Sequence, residues 1–90
     1  MEDKLSKEEI LKKADEIADK FNLLKSVVYQ GMANRLYMRA VLRDFDLDAI
    51  LGIASEIERA FEVESCDYWA VDKEHVVFDF ALPFRVDMLF

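Results

Sequence analysis

At 90 residues the chain is expected to form one small α+β domain spanning positions 1–90. Its 53% apolar content is ample for a core, and no apolar run approaches the ~20 residues needed to cross a bilayer. A net charge of −7 and a pI near 4.6 disfavour general nucleic-acid binding, which depends on Lys and Arg neutralising phosphates. Cys66 is the only cysteine, so no internal disulfide can form, and no signal-peptide pattern opens the chain; the expected compartment is the cytoplasm.

The first element is a helix. Ser6-Lys7-Glu8-Glu9 has the form of a capping box, with Leu5 and Ile10 placed as a hydrophobic staple. Ile10, Leu11, Ala14, Ile17, Ala18 and Phe21 then recur at the helical period, and Asn22 suits a left-handed stop.

Residues 25–31, KSVVYQG, read as a strand, joined through Met32-Ala33-Asn34 to RLYMRAVLR at 35–43. In that second stretch Arg35, Arg39 and Arg43 are spaced by four and would align on a helix or on a strand. The apolar residues decide: Leu36, Met38, Ala40 and Leu42 scatter around a helix but share one face of a strand. Residues 20–43 hold five bases and no acid, whereas 44–90 hold twelve acids and three bases, so the positive charge is a block.

A second helix begins near Asp46, an N-cap residue, with Asp48 in its first turn. Leu47, Ile50, Leu51, Ala54, Ile57 and Phe61 form its expected buried stripe, and Gly52 implies close approach to a sheet. Two more strands follow, 63–71 and 75–82, across the turn Asp72–His75. Pairing Val71 with Val76 sets Trp69 against Phe78 in the core and Tyr68 opposite Asp79 on the other face. It also points Asp67 inward, and the favoured reading is that Asp67 lies near the open end of the sheet or is turned outward by a bulge. After Pro83, Phe84, Val86, Met88 and Phe90 alternate like a further short strand. The order α-β-β-α-β-β predicts a two-layer sandwich, an antiparallel sheet with both helices on one face.

Chemistry finds few anchors. A Cys66–His75 dyad needs hydrogen-bond contact, and in this pairing the two lie several residues apart on one sheet face. Asp44, Asp46 and Asp48 alternate as in calcium loops, but the glycine and the acid at position twelve are missing, and helix capping accounts for them. The two glycines, Gly31 and Gly52, form no phosphate-binding loop. The expectation is therefore no enzyme, no cofactor and no metal.

The remaining signal is a sheet face carrying Arg35, Tyr37, Arg39 and Arg43 from one hairpin and Cys66, Tyr68, His75, Val77 and Asp79 from the other. Arg and Tyr are enriched at protein interfaces. The predicted function is a non-enzymatic protein-interaction module: an adaptor, a chaperone-like protein or an assembly factor. It is expected to be homodimeric, to bind through Arg35, Tyr37, Arg39, Arg43 and Tyr68, and to use Phe84, Val86, Met88 and Phe90 as interface residues. The alternative is a regulatory domain holding a small anion on Arg35, Arg39 and Arg43. The Glu, Lys, Ile and Val content fits a thermophilic source.

Overall fold

The computed structural model describes residues 6–32 and 34–83. Its elements are α1 (Lys7–Lys20), β1 (Lys25–Gln30), β2 (Arg35–Val41), α2 (Leu47–Phe61), β3 (Cys66–Ala70) and β4 (His75–Ala81). The order is α-β-β-α-β-β and the fold is α+β, as the sequence indicates. The interface residues expected at Phe84, Val86, Met88 and Phe90 lie outside the described residues, as does Leu5 of the expected staple.

Local chemistry starts and stops both helices. The Ser6 hydroxyl accepts the Glu9 amide at 3.2 Å while the Glu9 carboxylate accepts the Ser6 amide at 3.4 Å, completing the capping box. Asn22 ends α1 in the left-handed region at φ 54°. The Asp46 carboxylate accepts the Asp48 amide at 3.0 Å and caps α2. At the far end of α2, Glu62 takes a left-handed conformation at φ 54° and donates its amide to the Glu58 carbonyl.

The four strands form one antiparallel sheet in the order β1-β2-β4-β3, so that the two central strands join the two hairpins. Strand alternation then sorts the side chains. Leu36, Met38 and Ala40 of β2 and Val76, Phe78 and Phe80 of β4 are all buried. They share one core with Ile10, Ala14 and Ile17 of α1 and with Ile50, Ile53, Ile57 and Phe61 of α2. A carboxylate of α2 also serves the sheet: Glu58 accepts the Cys66 amide at 3.1 Å.

Three expectations are corrected. In α2, Leu47 and Leu51 are exposed and Ile53 is fully buried, so the covered stripe is rotated from the expected one. The close approach at Gly52 is to Phe21 at the end of α1, whose Cε1 would lie 2.8 Å from an added Cβ, and not to the sheet. In the second hairpin Val71 pairs with His75 and Trp69 with Val77, one residue away from the expected pairing. The cause is the turn: the Asp72 carboxylate accepts the amides of Glu74 and His75, both at 2.8 Å, and tightens it by one residue.

A one-residue slip exchanges the two faces of a strand. Trp69 therefore leaves the core and is 46% exposed, and Asp67 is exposed opposite Asp79. Cys66 enters the core at 8% exposure, opposite Phe80, and Tyr68 sits opposite Phe78 on the core side, at the sheet edge.

Candidate functional site

The sheet face turned away from the core is the candidate site. Consecutive pairings lay its side chains out in rows. Val27, Arg39, Val77 and Trp69 form one row, and Tyr29, Tyr37, Asp79 and Asp67 form the next. Tyr29 and Tyr37 stack with ring centroids 5.2 Å apart, and Trp69 meets Tyr37 edge-on at 6.5 Å. Val77 is buried beneath this layer although it lies outside the main core, whereas Val27, Tyr29, Trp69 and Val71 stay exposed. Such a run of large apolar groups on a small protein's surface marks a contact surface more often than bare exterior.

The charges on this face are segregated. β1 and β2 contain no acid and supply Lys25, Arg35 and Arg39; β3 and β4 supply Asp67 and Asp79. Arg35 crosses that divide, its Nε and Nη2 donating to Asp79 Oδ1 at 3.0 and 2.7 Å. The hydrogen bonds and charge of Asp79 raise the Arg35 pKa above its ordinary value. Lys25 and Arg39 form no ion pair with a described residue. They border a depression of about 310 Å³ with Val27, Tyr29, Val41 and His75.

Of the binding residues expected from sequence, Arg35, Tyr37 and Arg39 do come together here. Arg43 does not: it lies beyond β2, and its Nε donates to the Asn22 carbonyl at 3.1 Å, at the end of α1. A cation there complements the carbonyls that a helix leaves unpaired. Tyr68 is on the opposite face for the register reason given above. The residues missed by sequence reasoning are Lys25, Val27, Tyr29, Trp69, Val71 and Asp67. For the first three the signal was present, because they are alternate residues of one strand.

The remaining candidates separate. Cys66 lies on the core face and His75 on the other, so no dyad forms. Burial pushes the Cys66 thiol up to about 12, with the charges of Glu58, Asp67 and Asp79 adding to the shift. The His75 Nδ1 is 2.7 Å from Asp72 Oδ1, within the turn. Among the described residues no three His, Cys, Asp or Glu side chains group as metal ligands, and no helix is long and apolar enough to cross a membrane. No protein-family model matches the chain, and no curated protein matches it either.

Proposed function

We propose that the protein is a cytoplasmic protein-interaction module, of the adaptor, chaperone-like or assembly-factor kind, and not an enzyme. It uses the open sheet face as its docking surface. One observation carries this reading: Val27, Tyr29, Trp69 and Val71 are all exposed on a single face, around a stacked tyrosine pair. Rigid aromatic side chains offer large contact area at low entropic cost, and arginine adds planar hydrogen bonding at the rim. Residues 84–90 supply further apolar groups for the same purpose.

Site-specific photocrosslinking in the producing cell tests the reading. A photoreactive phenylalanine analogue at position 27 should give discrete protein adducts, and the same analogue at exposed position 12 on α1 should give none. Adducts from both positions, or from neither, would remove the sheet face as a docking surface.

A second reading, small-anion binding, is supported by the depression beside Lys25, Arg39 and His75. It no longer rests on three arginines, since Arg35 is paired and Arg43 is engaged at α1. Inorganic phosphate binding that Arg39→Glu abolishes would favour it over the docking reading.

A further inference from the structure

We infer that the occupant of the open sheet face is a second copy of this chain, stacked face to face about a two-fold axis parallel to the strands. The inference rests on the docking reading above and names its partner. It follows from the way charge and apolar groups are divided across the sheet.

A two-fold axis running along the strands keeps each row of side chains but reverses the strand order β1-β2-β4-β3. β1 of one copy then lies over β3 of the other, and β2 over β4. Val27 of one copy meets Trp69 of the other, apolar against apolar. Tyr29 meets Asp67 and Tyr37 meets Asp79, each a phenolic donor facing a carboxylate. Arg39 falls on Val77 and Lys25 on Val71, in the half that carries the acids, with Asp67 and Asp79 one row from Arg39 and two rows from Lys25. Sheets packed about 10 Å apart and within roughly 30° of alignment preserve this overlay.

The competing arrangement fails on charge. An axis perpendicular to the strands stacks each strand on its own copy with the rows reversed, which sets the acid-free half on itself and, centred on the middle row, Arg39 on Arg39. Four strands at about 4.8 Å spacing and roughly 20 Å length give a face of about 400 Å² per copy, below the area of standard stable interfaces and in the range of weak, transient ones. The dimer is accordingly expected to be concentration-dependent and not obligate.

Sedimentation equilibrium on the untagged full chain, across micromolar concentrations, should show a mass rising from 10.5 kDa towards twice that value. Val27→Asp and Trp69→Lys should each weaken association by at least about tenfold. Both positions are about half exposed, and circular dichroism checks that each variant folds. Mixing the two variants is the decisive measurement. In the mixed dimer the introduced Asp faces the introduced Lys at one contact, and the native Val27–Trp69 contact survives at the other. Association stronger than either variant alone is therefore expected.

A dimer with no rescue on mixing would overturn the strand-parallel pairing. A full chain that stays monomeric would overturn the second copy as occupant, while position-27 adducts to other proteins would leave the docking reading standing. Dimerisation that begins only when residues 84–90 are deleted would assign the face to that segment and overturn the inference as well. A dimer indifferent to both substitutions, with no position-27 adducts, would remove the inference and the docking reading together.

Discussion

Tyr37 lies flat against Tyr29, the two rings 16° from parallel with centroids 5.2 Å apart, on a face that no described element covers. Trp69 closes the other side of Tyr37 edge-on, at 71°. Aromatic pairs of this geometry are worth about 0.5–1.5 kcal/mol beyond the area they bury. A double-mutant cycle with Tyr29→Ala and Tyr37→Ala, read by urea denaturation at a dilution where the chain is monomeric, should return a coupling of that size. Additive effects would mean that the stack is fortuitous and contributes nothing to presenting the face.

The second hairpin gives a test through pH. Amide donors from Glu74 and His75, together with the His75 ring, hold the Asp72 carboxyl down at about 2 against an ordinary value of 3.8. A folded-state pKa below the unfolded one stabilises the protein above the unfolded value and loses that stabilisation as pH falls through the folded one. The contribution of Asp72 is thus complete above about pH 4 and drains away towards pH 2. Urea midpoints measured from pH 5 to pH 2 should fall more steeply for the native chain than for Asp72→Ala. Parallel curves would show that the turn draws no stability from this carboxylate.

That same carboxylate explains what the sequence hid. The capping box, both helices, all four strands and the even-numbered core of β2 and β4 were legible, because each is written in local periodicity or in a cap. The register of β3 against β4 was not. Val71-Val76 and Val71-His75 pairings differ by one residue, and only the tightening of the turn by Asp72 chooses between them. With that choice Trp69 and Asp67 moved to the open face and Cys66 and Tyr68 to the core side. The α2 stripe failed for a different reason. Leu47, Leu51 and Ile53 make the helix apolar over more than one face, and periodicity cannot say which part the sheet and α1 cover. Arg43 obeyed strand parity in sequence but lies past the end of the strand, where its Nε donates to the Asn22 carbonyl just beyond α1.

Burial of Cys66 carries its own prediction. With the thiol pushed up to about 12, some three units above its ordinary 9.0, the thiolate population at pH 8 is roughly a thousandfold below that of the unfolded chain. Iodoacetamide labelling of the native protein should be slow, and should accelerate in step with urea unfolding. Rapid labelling without unfolding would place Cys66 in an accessible, activated setting and reopen the question of nucleophilic chemistry.

The contact between Gly52 and Phe21 joins the two helices and can be read by a thermodynamic cycle. Gly inside a helix costs about 1 kcal/mol relative to Ala, so Gly52→Ala should be stabilising on propensity alone. In the native chain the new methyl would meet the Phe21 ring, with Cε1 at 2.8 Å and Cζ at 3.1 Å, both closer than carbon atoms pack. The ring must turn away from the helix, and overpacking of this kind costs about 1–3 kcal/mol. Gly52→Ala alone is therefore expected to be neutral or destabilising. In a Phe21→Ala background the obstruction is gone, and the same substitution should raise stability by about 1 kcal/mol. Urea denaturation of the four chains separates the two cases. Equal gains in both backgrounds would show that Phe21 yields freely and that α1 and α2 do not depend on this glycine for their approach.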